Sequence, residues 1–514
     1  MTRDVVLHRI VATRTPALTA IIGVLVAAGV ASFQVSPEPK IPGVPLTWDD
    51  REMGQFEVPL ARAEYSPKHV PSDYYYRLPV RPVYASYPIY HPDREPAGYL
   101  EELRTKEPEI AFDEAKVNRT EEEWIAAGSL VFDAPLDYDP PFISFDDVRD
   151  PSWYKNNQVL LTRDGMMPFA RYVVRKKGAV EVGNLACGFC HTRVMPDGAL
   201  VRGAQGNPPN IPIRDDDCAP RRRQLLMRIF ETPWDRREAE RTFQLPCEGF
   251  KALSEGIPPG VFMRQGTSPR APAKLPDLIG IQERRYLDAT GFVRHRSIGD
   301  LMRYAAVNQT MDMLASYGGW IPAPLDHKTL PPVGQSRFEG TYDRYSDAQL
   351  YALAKFLYSL TPPRNPNTFD ATAAAGQRVF ERERCATCHT PPLYTNNRLT
   401  LARGFTPPQE HFSTYDIQRI SVGTDPTLAM ETRRGTGYYK VPSLKGLWYR
   451  GPIEHSGSVA TLEDWFDPAR LRDNYVPTGF RGPGVKTRAV TGHEFGLTLS
   501  AQDKAALIAF LRTL

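Results

Sequence analysis

Cysteine is scarce, with 6 in 514 residues. That excludes a scaffold built from disulfides, which needs far denser cysteine. Charge of one sign is missing too. The chain carries 63 Lys and Arg against 60 Asp and Glu, a net +3, so no basic excess points to nucleic acid as a partner. Beyond residue 35 no apolar run is long enough to cross a bilayer. Global disorder is excluded by 41% hydrophobic and 24% charged residues, the balance of a folded chain. A single ordinary core does not accommodate this length, so two or three units are expected. What the chain has in excess is proline: 48 residues, about 9% where about 5% is usual. Long loops pinned by proline follow from that, rather than a regular sheet or helical array.

The first 35 residues read as an address. Arg3, Arg9 and Arg14 precede an apolar run from Ala17 to Phe33. Positive charge, then an apolar stretch, then polar chain is an export signal. The run is either an uncleaved anchor or a signal peptide cut after Gly29-Val30-Ala31; the remaining alternative is a buried helix of the folded body. Both export readings place residues 36–514 outside the cytoplasm, in the periplasm of a bacterium, with the anchor reading tethering them to the inner membrane.

Residues 36–118 are rich in proline and tyrosine: Tyr74-Tyr75-Tyr76, Tyr84, Tyr87, Tyr90 and Tyr99 alternate with Pro71, Pro79, Pro82, Pro88, Pro92 and Pro96. Proline fixes φ and lacks the amide proton, which disfavours regular helix or sheet. The segment reads as an extended arm anchored on the body by its tyrosines, or as a docking surface for a partner. A weak internal repeat follows. Ala126-Ala127-Gly128 with Val131-Phe132 recurs as Ala374-Ala375-Gly376 with Val379-Phe380, and Ser346–Leu360 matches Ser500–Leu514. The latter pair each open on a serine suited to cap a helix and carry leucines at helical spacing. Two similar units result, 119–362 with insertions and 363–514, each opening and closing with a short helix. The expected fold is mainly α with long Pro-rich loops, in two similar domains.

Each unit holds one Cys-x-x-Cys-His: Cys187, Cys190 and His191 in the first, Cys385, Cys388 and His389 in the second. This is the attachment signature of c-type haem. Two thiols three residues apart lie along one helical turn and can each bond a haem vinyl group, and the following imidazole reaches the iron. Two covalently bound haem c groups are therefore expected, one in each of two cytochrome c-like haem domains. A zinc site would need two more ligands per motif, and no second cysteine pair lies near either one. Cys218 and Cys247 are left over, either as a disulfide or as buried thiols. A haem with both axial positions filled mainly transfers electrons, whereas an open position can bind oxygen or peroxide. For the second haem His493, in the glycine-flanked Gly492-His493-Glu494-Phe495-Gly496, is the first candidate for the sixth ligand. His455 is the second and Met430 the third. For the first haem His295, Met302, Met311 and Met313 are available, none in so suggestive a loop, and the expectation is an open sixth position.

These motifs resemble the bacterial dihaem cytochrome c peroxidase superfamily, which includes enzymes like MauG and rubber oxygenases like RoxA. The most specific stretch runs Tyr439-Lys440-Val441-Pro442-Ser443-Leu444-Lys445-Gly446, then Gly451-Pro452, His455-Ser456-Gly457 and Ser458-Val459-Ala460-Thr461-Leu462. His493 occupies the loop where members place the second distal ligand: Met in typical peroxidases, Tyr in MauG, His in the RoxA branch. The spacing of 385 − 187 = 198 residues between motifs also resembles RoxA, although the chain is short for that branch. The resemblance implies chemistry at the first haem, electron transfer through the second, and an aromatic residue between them, Trp320 or Tyr304. It implies an inter-domain calcium on backbone carbonyls near Arg450 and Pro452. Glu283 and Asp288 are acids in the region where a distal acid or base would lie. Partners implied are hydrogen peroxide or dioxygen, and a small electron-donor cytochrome or cupredoxin. The functions implied are a peroxidase, an oxygenase cleaving an apolar substrate, or a membrane-tethered carrier of electrons without catalysis.

Overall fold

The protein is seen as a computed structural model that describes residues 41–514 apart from 115–116, 118–119, 139–141, 211–212, 221–243, 264–266, 268–270 and 318–342, with backbone alone at 217 and 309–317. Trp320, Met311 and Met313 thus lie outside the described residues or side chains, as does the whole export segment. No helix among the described residues is long and apolar enough to cross a membrane. Pro37–Leu514 forms one compact unit.

Two pairs of crossed helices form its frame. They are drawn from α1 (Glu121–Asp133), α3 (Asp347–Ser359), α4 (Ala371–Arg382) and α5 (Ala501–Arg512), with α2 (Ile298–Leu314) packed on α3. Local chemistry starts each one. Thr120 and Glu123 make a reciprocal capping box at α1, and Ser346 and Gln349 do the same at α3. Asp370 and Ser500 accept from the third amide of α4 and α5. The repeat in the sequence becomes the same crossing built twice, α1 on α3 and α4 on α5. A Cβ added at Gly128 would stand 1.9 Å from Ala352 O, and one at Gly376 would stand 1.9 Å from Ala506 O. Phe356 and Phe510 close the two contacts at 2.7 Å and 2.8 Å from those same positions.

The expectation of a mainly α chain is corrected to mixed α and β. β1 (Pro67–His69) pairs antiparallel with β5 (Ala315–Tyr317). β2 (Ser86–Tyr90), β3 (Met166–Lys176) and β4 (Ala179–Gly183) form an antiparallel sheet in that order. β6 (Leu399–Leu401) lies between β7 (Ile417–Ser421), parallel to it, and β8 (Tyr438–Lys440), antiparallel. The cause is local. β3 reads MMPFARYVVRK, whose aromatic and β-branched residues suit a pleated, half-buried surface. Its partner β2 comes from the proline-rich arm, where Pro88 sits at the edge strand of the sheet, where its missing amide is tolerated.

The arm is accordingly less irregular than its proline content implies, with short helices at Asp50–Phe56, Ser72–Arg77 and Tyr99–Thr105. Tyrosines do anchor it. Tyr74 and Tyr75 are buried in one core with Trp48, Phe56, Val131, Phe132 and Leu353, and Trp48 stacks on Tyr75 at 4.5 Å. Asp347 at the start of α3 accepts from the Thr47 amide at 3.0 Å and from the Tyr76 hydroxyl at 3.2 Å. Cys218 and Cys247 form a disulfide with Cα atoms 5.5 Å apart.

Candidate functional site

Both Cys-x-x-Cys-His motifs coil into a single turn. Cys187–Cys190 is a one-turn helix whose next amide, His191, donates to Cys187 O at 3.0 Å; in the second motif the His389 amide donates to Cys385 O at 2.9 Å. The chain after the first motif returns across it, with the Gly206 amide on Cys190 O at 3.1 Å. A Cβ at Gly206 would stand 2.2 Å from that same oxygen, so only glycine allows this approach. Asn396 donates to Cys388 O at 2.7 Å in the second motif.

Each motif histidine is held by the same device. His191 Nδ1 lies 3.0 Å from Pro276 O, and His389 Nδ1 lies 3.2 Å from Tyr394 O. A carbonyl accepts, so Nδ1 carries the hydrogen and Nε2 keeps its lone pair for a metal. Burial holds the His389 imidazole neutral by lowering its pKa to about 4. Burial raises the Cys385 thiol to about 11, the opposite of the depressed thiol of a redox Cys-x-x-Cys.

His493 meets His389 with ring centroids 6.3 Å apart. For ring bonds of about 1.33 Å a ring nitrogen lies roughly 1.1 Å from its centroid, and metal–imidazole bonds are about 2.0–2.1 Å. Two imidazoles on opposite sides of one metal therefore stand roughly 6.2–6.4 Å apart, which is the spacing present. Burial, then the neighbouring His389, lowers the His493 pKa to about 4. Its Nδ1 is buried with no hydrogen-bond partner among the described residues, and the ring packs against Trp465 and Phe495. The residues of the second motif thus fit an iron porphyrin: two thiols on one turn, a tautomer fixed by a carbonyl, and a facing neutral imidazole. His191 and its two thiols have the same donor chemistry at the first motif.

The loop that carries His493 is strained and pinned. His493 has φ +46°, and its amide donates to Val422 O at 2.6 Å. Arg470, fully buried, spreads its guanidinium over Trp465 O, Val490 O, Gly492 O and His493 O at 2.6–2.9 Å. Lysine cannot reproduce that fork. Arg470→Lys is expected to lose about 2–4 kcal/mol of stability, because buried carbonyls are left without donors. Urea denaturation checks it, and a loss under about 0.5 kcal/mol would mean the loop is held by something else.

The other expected residues are placed as follows. His455 stands apart from His389: its Nδ1 contacts Glu454 Oε1, its Nε2 lies 3.2 Å from the Tyr439 hydroxyl, and its ring stacks on Tyr439 at 4.5 Å. With both nitrogens engaged it is not set up as an axial ligand. Met430 packs with Leu428, Ala429 and Tyr439 instead of with the residues around His493. His295 is likewise engaged on both sides, by Arg284 O at 2.8 Å and the Tyr358 hydroxyl at 2.7 Å, and Met302 is fully buried in the large core. Tyr304 reaches Asp288 Oδ2 at 3.3 Å, and that carboxylate also pairs with Arg434 at 2.6 Å. Glu283 pairs with Lys445 at 3.5 Å. Of the two carbonyls expected near calcium, that of Pro452 faces a protein donor, accepting from Gln205 Nε2 at 3.1 Å.

Burial alone would raise the Glu454 pKa, but the His455 charge and the bonds from His455 and Ser456 outweigh it and hold the group at about 2, below its ordinary 4.5. A carboxylate depressed by folding adds stability above its unfolded pKa and loses it as pH falls through the folded one. Glu454→Gln is therefore expected to be less stable than the parent at neutral pH, with the difference closing between pH 4.5 and about 2. Denaturation at a series of pH values checks this, and a difference independent of pH would contradict it.

No family model matches the chain, and no curated protein matches it. Solved structures similar to it include the following two. One is a MauG-like protein associated with microbial copper homeostasis, at 16% identity and TM-score 0.29, covering 59% of this chain and 89% of that one. The other is hydrazine synthase of Kuenenia stuttgartiensis, at 13% identity and TM-score 0.28, covering 57% and 92%. Likeness at this level carries no argument about activity, and the case for haem rests on the two motifs themselves.

Several residues that shape the sites left no trace in the sequence pattern. Pro276 and Tyr394 act through carbonyls, which every residue has. Arg470 is one arginine among many. The pairing of Tyr439 with His455 joins residues 16 apart that no helix or strand spacing relates.

Proposed function

We propose that the chain is an exported dihaem c-type oxidoreductase of the peroxidase type, with peroxide reduced at the first motif and electrons delivered through the second. The observation that carries this is the pair of Cys-x-x-Cys-His turns, each with its imidazole pinned by a carbonyl, the second of them facing His493 with ring centroids 6.3 Å apart. Haem c, when bound, supplies an iron that cycles between oxidation states.

The chain's own residues do the rest. Cys187 and Cys190, and Cys385 and Cys388, attach the two groups through thioethers. His191 and His389 would each ligate an iron through Nε2, with Nδ1–H fixed on Pro276 O and Tyr394 O. Both carbonyl bonds raise the basicity of the ligating nitrogen. His493 closes the second site, which suits it to transfer electrons without binding substrate. At the first site an open position for peroxide is proposed, and of the candidate ligands whose side chains are described, His295 and Met302 are committed elsewhere. Tyr304, or Trp320, is proposed to lie on the electron path. A small donor cytochrome or cupredoxin is the proposed reductant. The disulfide between Cys218 and Cys247 supports a compartment outside the cytoplasm.

The test is turnover by the purified holoprotein. With a reduced donor protein, hydrogen peroxide is expected to be consumed at two electrons per molecule. Consumption of dioxygen instead, with cleavage of an apolar substrate, would move the reading to an oxygenase. No consumption of either would leave an electron carrier.

A further inference from the structure

Charge is out of balance in the region between the two motifs. Four cations gather there from separate stretches of chain: Lys274, Arg284, Lys440 and Arg450. Lys274 lies two residues before Pro276, whose carbonyl holds His191. Arg450 is close enough to His389 to depress its protonation. Arg284 donates to Asp277 O and, at 2.8 Å, to Ile279 O. Arg450 Nη1 stands 3.9 Å from Asp277 Oδ2, and its Nη2 donates to Ser443 O at 2.7 Å. Arg450 Nε is buried with no hydrogen-bond partner among the described residues. The Lys440 ammonium has a distant carbonyl, Tyr286 O at 3.4 Å.

Among the described residues the carboxylates that face the four cations are Asp277, Glu283, Asp288 and Glu454, and Glu283 is shared with Lys445 at 3.5 Å. Asp288 pairs with Arg434 at 2.6 Å. Glu454 is taken by His455 and Ser456. Asp277 is left, and it already accepts from the Tyr449 hydroxyl at 2.9 Å and the Ile279 amide at 3.1 Å. Burial, then repulsion from Arg284, lowers the Lys440 pKa to about 7, with Lys274 and Arg450 adding to the repulsion. Burial, then Arg450, lowers Lys274 to about 8. Half-buried cations short of counter-charge are costly, so the cluster calls for anions beyond those of the described residues.

We propose that Lys274, Arg284, Lys440 and Arg450 form a carboxylate-binding basin that holds the propionate side chains of the two haem groups. The assignment rests on the dihaem reading. Arginine suits planar, two-point binding of a carboxylate, and lysine a point contact. The basin would tie both haems to one cluster of charge and set their potentials together. A cation beside a haem favours its reduced, less positive state.

The test uses the purified holoprotein and its Lys274→Met and Lys440→Met variants, with Lys→Arg at each position as the conservative control. Covalent haem is counted by the pyridine haemochrome assay, and both midpoint potentials are measured by spectroelectrochemistry with and without inorganic phosphate. The expected result is two haems in every protein, a lower potential for at least one haem in each Met variant, parent-like potentials in the Arg variants, and no effect of phosphate on the parent. Unchanged potentials in both Met variants would overturn the basin. A phosphate-induced shift in the parent, lost in the Met variants, would mean that the cluster takes a diffusible anion and would overturn the propionate assignment. Should the Met variants fail to accumulate, the phosphate titration of the parent decides alone. A parent without covalent haem would instead refute the dihaem reading, and the haem count tells the two failures apart.

Discussion

Gly376→Ala is expected to cost about 3 kcal/mol or more of folding stability. The added methyl would stand 1.9 Å from Ala506 O and 2.5 Å from Ala506 C. Backbone cannot rotate aside as a side chain can, so α4 and α5 must move apart by more than 1 Å and surrender the contact of Val379 and Phe380 with Leu507 and Phe510. The sign makes the experiment informative. On an isolated helix, alanine would stabilise by about 1 kcal/mol relative to glycine. Gly128→Ala should behave alike, since its methyl would also stand 1.9 Å from a carbonyl, Ala352 O. Urea denaturation of both variants measures it. A gain in stability in either one would show that its helices do not cross this closely.

On the proposed dihaem reading, the double substitution Cys385→Ser with Cys388→Ser is expected to halve the covalent haem, from two per chain to one. Both thioethers at the second site are lost while the first keeps Cys187 and Cys190. His389 and His493 remain to bind iron, but two nitrogen bonds without a covalent link let the group leave in acid acetone. The same change at Cys187 and Cys190 should also leave one haem, and with it should vanish the response to peroxide. Haem staining of denatured protein and the pyridine haemochrome count read both outcomes. Two covalent haems after either substitution would show that the motifs are not the attachment sites.

The legible features in the sequence were those with short-range physical causes. A Cys-x-x-Cys-His is a single turn and needs no distant partner to be recognised. The two glycines of the repeat, Gly128 and Gly376, aligned in the sequence because both face a helix backbone at the same step. His493 stood out because glycines flank it, and Gly492 does sit where a Cβ would stand 2.2 Å from Thr424 N. The tyrosines of the arm were too many to stay in water, and Tyr75 is 1% exposed.

Long-range features were not legible. β2 pairs with β3 across some 80 residues, as Ser86 with Val173, and nothing in either strand names the other. The sheet was therefore absent from a reading weighted by proline. The four cations of the basin come from positions 274, 284, 440 and 450, and only the fold makes them neighbours. His455 illustrates a further limit. It ranks second to His493 in the sequence, and Glu454 and Tyr439 occupy its two nitrogens, which only three dimensions reveal.

The central claim is an open first haem beside a second haem closed by two histidines. Electron paramagnetic resonance of the oxidised holoprotein, repeated after adding hydrogen peroxide, tests it most directly. The account predicts a low-spin ferric signal from the site of His389 and His493, and a high-spin ferric signal from the site of His191 that changes on adding peroxide. Two low-spin signals that ignore peroxide would mean both irons are closed, and would contradict it.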